Sequence, residues 1–258
     1  MSAILESRID TVANHLRESA AVKQRTIECC TTSIRVAADL IAESFRAGGK
    51  LMLCGNGGSA ADCQHLAAEF TSRLSADFVR PGLPAIALTT DTSFLTAYAN
   101  DFDFDGVFAR QVQAIGKPGD VLIGISTSGR SRNVIRAFDV AKGMGVKTVA
   151  LTGASERRGG HRFEENWSPS VGANVSGARI AHEATLPGTL LPNEDTDESG
   201  RMPLRQFVDL AICVPSDNTQ YIQEAHIAIE HIICHLVERA VFGELQATVT
   251  REPDYPAG

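Results

Sequence analysis

No run of apolar residues in this chain is long enough to cross a bilayer, so no membrane-spanning helix and no membrane partner are expected. The N-terminus lacks the basic-then-apolar order of a signal peptide. None of the six cysteines (Cys29, Cys30, Cys54, Cys63, Cys213, Cys234) belongs to a Cys-x-x-Cys pair, and most sit inside apolar segments. Reduced thiols in a cytoplasmic protein are the expectation. Excess positive charge is missing too: a net charge of -7 argues against a protein that coats nucleic acid. Two nucleotide signatures are absent. There is no Gly-x-Gly-x-x-Gly, and no glycine-rich loop ends in Lys-Ser/Thr, so no nucleotide cofactor is expected.

What is present is enough apolar material for one sizeable core: 258 residues, 43% hydrophobic and 21% charged. The chain is organised around residues 50–74. Leu51-Met52-Leu53-Cys54 reads as a buried strand. Gly55-Asn56-Gly57-Gly58-Ser59 follows, where few side chains block approach to the backbone. Residues 60–74 then read as a helix with Ala61, Leu66 and Phe70 near one face. A strand, a glycine turn and a helix N-terminus together make a small pocket suited to an anion, above all a phosphate. On its own the turn reads equally as a tight strand-to-helix connection. His65 and Glu69 lie four residues apart on that helix, a polar pair that also fits a solvated surface.

Helices are expected over residues 3–47, ended by Gly48-Gly49. Their apolar residues run from Ile4, Ile9, Val12 and Leu16 to Ile34, Ile41 and Phe45, and need a partner surface on this domain or on another subunit. Apolar runs at 84–88, 120–125, 147–151 and 211–215 read as further strands. Helical patterns pass through Leu95 and Tyr98, over 107–115, and through Val134, Ala137 and Ala141. Strands alternating with helices imply an α/β fold with a doubly wound parallel sheet flanked by helices.

A second informative loop, Ser126-Thr127-Ser128-Gly129-Arg130-Ser131, leaves a buried strand and enters a helix. Its hydroxyls and N–H groups suit phosphate oxygens, and four hydroxyls exceed what capping the helix requires. A last helix is expected from about Thr219 to Phe242, with Gly243 past its end. Gln223, His226, Glu230, His231 and His235 interrupt its apolar pattern.

Taken in order, Cys54-Gly-Asn-Gly-Gly-Ser59, His65-x-x-x-Glu69, Asn100-Asp101, Ser126-Thr-Ser-Gly-Arg-Ser131 and Ile222-Gln-Glu-Ala-His226 through His231 resemble the sugar isomerase (SIS) domain family. Within it they resemble the phosphoheptose isomerases, which interconvert sedoheptulose 7-phosphate and D-glycero-D-manno-heptose 7-phosphate. The resemblance covers roughly residues 5–153 and 205–245. It implies one SIS domain over 1–250, with N-terminal helices at 3–47 and a tail at 251–258. It also implies a cytoplasmic homotetramer in the heptose route to lipopolysaccharide, with sites at subunit interfaces and, in many members, zinc. Carried over by position, it has Asn56, Gly57, Gly58 and Ser59 line the substrate, and Asn100 and Asp101 contact the sugar. Ser126, Thr127, Ser128 and Ser131 hold the phosphate. Gln223 touches sugar and metal, Glu69 and His231 transfer protons, and His65, Glu69, Gln223 and His231 bind the metal.

An aldose–ketose exchange through an enediol needs a base for the carbon-bound proton and an acid for the carbonyl oxygen. A carboxylate suits the first role and an imidazole the second. Two non-catalytic readings stand beside the enzyme: a replication-initiator-binding adaptor and a phosphosugar-binding regulator of the same fold. The adaptor branch keeps the glycine and serine loops without the acid and base positions. Glu69 and His231 are both present here, which favours the enzyme. Gln223 and His231 are eight residues apart, about 12 Å along one helix, so they are expected to reach one metal from different chains, or only one of them ligates.

Two segments depart from the family pattern. Asn218-Thr219-Gln220-Tyr221 lacks the usual Asp-Arg or Ala-Arg. An insert at about 154–203 stands where the family has a short turn. It is basic early (Arg157, Arg158, His161, Arg162) and acidic late (Glu194, Asp195, Asp197, Glu198). It reads either as a tolerated surface excursion or as an arm reaching over a substrate site.

Overall fold

A computed structural model describes residues 2–154 and 207–249. Helix α1 (Ser2–Arg46) precedes β1 (Leu51–Gly55), α2 (Gly58–Thr71), β2 (Ala85–Ala87) and α3 (Thr92–Asp101). A short 3-10 turn (Phe104–Gly106) leads into α4 (Val107–Ile115), β3 (Val121–Ser126), α5 (Arg132–Gly143) and β4 (Lys147–Gly153). After the insert come β5 (Leu210–Val214) and α6 (Thr219–Val249). The insert's basic and acidic stretches, and the tail at 251–258, lie outside the described residues.

The five strands are parallel in the order β2-β1-β3-β4-β5. The alternation of strands and helices in the sequence implies this parallel, doubly wound layout. The order in which strands are added reverses between β1 and β3, with β2 on one side and β3, β4 and β5 on the other, and the ends of β1 and β3 pair Gly55 with Ile125. In open α/β sheets such a switch point opens a crevice beyond the strand C-termini, where ligands bind. The glycine turn leaves β1 there and the hydroxyl loop leaves β3.

Strand period sorts the core into two layers. Leu51, Leu53, Ile123, Ile125 and Leu151 face α1, α2 and α6. Met52, Cys54, Leu122 and Ala150 face α4 and α5, against Val112, Val134 and Phe138. Central strands buried on both faces explain their unbroken apolar runs.

Three local expectations are revised. The N-terminal helices are one helix of 45 residues, since no glycine or proline interrupts residues 2–46. Its C-terminal half buries Ile34, Ile41 and Phe45, whereas Ile9, Val12 and Leu16 remain 60–64% exposed. On α2 the buried face is Cys63, Leu66, Ala67 and Phe70, and Ala61 points outward. Helix α6 runs through Gly243 to Val249: this glycine is absent from the positive-φ set, so it does not form a left-handed stop. Among the described residues no helix is long and apolar enough to cross a membrane.

Candidate active site

The first part of the site follows from glycine. A Cβ at Gly55 would press within 2.8 Å of the Ser59 carbonyl oxygen, so only glycine lets β1 turn this tightly into α2. Gly57 takes φ 57°, the left-handed region, as N-cap of α2, and no side chain caps that helix end. Backbone N–H groups at the start of α2 therefore stay available to a ligand. Gly58 is bare for another reason: a Cβ there would run into the amide nitrogen of Gln223 from α6. Ser59 is buried in the first turn.

Beside it, the hydroxyl loop curls at the end of β3. The Ser126 and Ser131 hydroxyls bond each other at 2.9 Å, and Gly129, at φ 65°, closes the turn by donating to the Ser126 carbonyl. Ser128 is exposed, and its Oγ accepts the Arg130 N–H at 3.3 Å. Thr127 is half-buried, and its carbonyl accepts the Gly153 N–H. Two amides join the loops: Asn56 Nδ2 donates to Asn133 Oδ1 at 2.9 Å, and Asn133 Nδ2 donates to Asn56 Oδ1 at 2.8 Å. Asn133 is absent from the sequence-derived site. Its only signal was an amide two residues after Ser131.

Further along α2 lies the second part. Helices α2 and α6 run side by side in the same direction, with Gln223 at Gly58 and His231 at His65. His65 Nε2 is 2.7 Å from His231 Nε2 and 3.7 Å from Glu69 Oε1. Ligand atoms of all three residues lie within 4.8 Å of one another. Zinc held tetrahedrally by N and O atoms at about 2.0–2.1 Å keeps neighbouring ligand atoms roughly 3.3 Å apart. Two imidazoles and a carboxylate at this spacing fit such an ion. Gln223 stands at the other end of the α2–α6 pair, eight residues from His231.

Arg80 holds the Glu69 turn in place. Its guanidinium donates to the carbonyls of Glu69 and Phe70, each at 2.8 Å, and to Glu238 of α6 at 3.1 Å. The Arg80 and Glu238 side chains are fully buried, so this ion pair locks the end of α2 against α6.

Behind the cluster sits a set of buried polar groups. Asp62 Oδ2, His226 Nδ1 and both Glu230 carboxylate oxygens have no hydrogen-bond partner among the described residues. Burial raises the Asp62 carboxyl to about 6 and pushes Glu230 well above the usual carboxylate range, with Asp62 adding to the effect. Burial lowers His226 to about 4, and its Nε2 donates to the Thr152 carbonyl at 3.4 Å. The sequence pattern singles out His226 and Glu230 as polar breaks in an apolar helix. Asp62 escapes it, being one acid on a short helix. Cys234 is pushed up to about 12 and Cys54 and Cys63 are raised by burial, so these thiols stay protonated and are poor nucleophiles. None of the six cysteines forms a disulfide.

Asn100 and Asp101 stand exposed at the end of α3, bonded to each other at 2.9 Å.

Known proteins resemble this chain in sequence and fold. The SIS domain model matches residues 14–153. A phosphoheptose isomerase from Roseiflexus sp. (strain RS-1) is 46% identical over 233 residues, spanning 90% of this chain and 94% of that protein. The structure of a phosphoheptose isomerase from Neisseria gonorrhoeae superimposes with a TM-score of 0.65 at 36% identity, covering 88% of this chain and 97% of the other. One from Francisella tularensis gives 0.69 at 29% identity, covering 90% and 98%.

Proposed function

The chain belongs to the SIS domain family and, within it, to the phosphoheptose isomerases, and from that membership we propose that it interconverts sedoheptulose 7-phosphate and D-glycero-D-manno-heptose 7-phosphate through an enediol. The observation that carries the reading is the convergence of His65, Glu69 and His231 between α2 and α6, on the helix that begins at the glycine turn.

The phosphate binds at the switch point. Ser126, Thr127, Ser128 and Ser131 supply hydroxyls, and the start of α2 supplies N–H groups without a fixed cation. Asn56, Gly57, Gly58 and Ser59 line the sugar, with Gln223 over Gly58 and Asn100 and Asp101 as further sugar contacts. In the ketose-to-aldose direction Glu69 takes a proton from C1 while His231 gives one to the carbonyl oxygen at C2, producing the enediol. Delivery of a proton to C2 and loss of the C1 hydroxyl proton, as C1=O forms, complete the aldose. Arg80 keeps Glu69 in place through the backbone.

His65, Glu69 and His231 would hold a zinc ion, with Gln223 as a further ligand. The ion, when bound, would polarise the oxygens on C1 and C2. Gln223 and His231 lie about 12 Å apart along α6. Gln223 therefore reaches the metal group of a neighbouring subunit, in a homotetramer with interfacial sites. The exposed Ile9, Val12 and Leu16 stripe on α1 supports burial against another subunit. Residues 1–250 act as one cytoplasmic SIS domain with a tail at 251–258, and the product feeds lipopolysaccharide synthesis. The test is direct: the purified protein is incubated with sedoheptulose 7-phosphate and aldose formation is followed, with Glu69→Gln as control.

A further inference from the structure

Asn133 is 3% exposed, on the first turn of α5, and its side chain hydrogen-bonds that of Asn56 in both directions. Its Oδ1 accepts two hydrogen bonds, from the Val134 N–H at 3.0 Å and from Asn56 Nδ2 at 2.9 Å. A backbone N–H can only donate, so the atom facing Val134 must be the Asn133 oxygen. The Asn133 nitrogen then faces Asn56, and the atom it meets must be Asn56 Oδ1. The polarity of both amides is thus set by one backbone N–H, which the Asn133 oxygen shares with the Ser131 carbonyl at 3.1 Å. Asn56 is left with one N–H and one oxygen lone pair, in known places, for a ligand.

We infer that Asn133 is a positioning residue, which fixes the orientation of the Asn56 amide toward the sugar and ties the glycine turn of β1 to the hydroxyl loop of β3. This rests on the reading of Asn56 as a substrate contact. The two loops leave neighbouring strands, so small shifts between them would separate the phosphate subsite from the sugar subsite. The reciprocal amide pair is the direct side-chain link between the loops, and the Ser126–Ser131 bond stiffens the second loop from within. An Asn56 amide free to rotate would present donor and acceptor in either order, and part of the binding energy would go into ordering it.

The test is a double-mutant cycle on Asn56→Ala, Asn133→Asp and the combined variant. KM and kcat for sedoheptulose 7-phosphate are measured, with thermal protection by the same sugar phosphate as a readout independent of turnover. Asn133→Asp keeps the shape and the acceptor for the Val134 N–H, but sets an oxygen against Asn56 Oδ1. Each single variant is expected to raise KM by about tenfold or more, with a smaller change in kcat. The combined variant is expected to be no worse than Asn56→Ala alone, because the two act through one contact. Should Asn133→Asp fail to fold, Asn133→Ser keeps a short acceptor, loses the reach to Asn56 and carries the same cycle. Wild-type KM in the Asn133 variants while Asn56→Ala raises it would overturn the positioning role, as would fully additive effects. Unchanged KM and protection in Asn56→Ala would instead remove Asn56 from the substrate site, and the inference with it.

Discussion

At the scale of single residues the proposal rests on Glu69 and His231 as the proton-transfer pair. Glu69→Gln and His231→Asn are each expected to lower kcat by roughly two to four orders of magnitude, the usual worth of a general acid or base. Circular dichroism and melting curves should stay near wild type, and near-normal turnover in either folded variant would refute the assignment. Asp62 makes a separate prediction about stability. Its folded pKa of about 6 lies above its ordinary value of 3.8, so folding favours the protonated form. The stability it contributes is complete below about 3.8 and is lost as pH rises through about 6. Asn at this position mimics the protonated acid. Asp62→Asn should therefore melt higher than wild type at pH 7.5, and the gap should close toward pH 4.5. His226 acts in the opposite sense: buried neutral, with its pKa at about 4, it costs stability as pH falls below about 6.5. Comparing variant with parent at each pH cancels that contribution. A gap independent of pH would contradict the Asp62 account. His65 and Glu69 were visible in the sequence as an i,i+4 pair, and His231 through the family resemblance. Asp62 and Asn133 were not, because partners and burial across elements leave no periodic trace in one sequence.

His65, Glu69 and His231 stay gathered only if α2 and α6 are held together at their ends. Arg80 and Glu238 do this as a fully buried ion pair. Arg80→Ala would leave the buried Glu238 carboxylate with only the half-exposed Arg239, whose Nη1 lies 3.2 Å from Oε1, and should cost about 3 kcal/mol, read as a large drop in melting temperature. Arg80→Met with Glu238→Leu should recover much of that stability, because no lone charge remains. The carbonyls of Glu69 and Phe70 would still lose their donor. A mild effect of Arg80→Ala, below about 1 kcal/mol, would show that the pair is not what joins the helices. At this scale the strands were legible almost to the residue, since strands buried on both faces read as short apolar runs. Their order was not, because it depends on which neighbours pair in space. The register of β1 on β3 brings the glycine turn beside the hydroxyl loop, which sequence separation alone hides. Helix ends were harder. Gly243 reads as a stop, yet a glycine without left-handed backbone can sit inside a helix at a modest cost.

For the whole molecule the central issue is which groups of one chain work together. His65, Glu69 and His231 gather within a single chain, whereas Gln223 lies two turns back on α6, beside Gly58. If Gln223 serves a neighbour's metal group, subunit exchange between the Glu69→Gln and Gln223→Ala variants should restore part of the activity. Exchange between the Glu69→Gln and His231→Asn variants should restore none, since each site then keeps one defect. Recovery in the second mixture would place Glu69 and His231 on different chains. The expectation of burial against another subunit rests on Ile9, Val12 and Leu16 of α1, apolar residues that stay exposed in the single chain. One measurement bears most directly on all of this: following sedoheptulose 7-phosphate with the wild-type protein and with Glu69→Gln, by resolving ketose from aldose phosphate. The account predicts steady formation of D-glycero-D-manno-heptose 7-phosphate to an equilibrium mixture, falling by two or more orders of magnitude in the variant. Binding of the sugar phosphate without any aldose, under conditions where zinc is supplied, would contradict it.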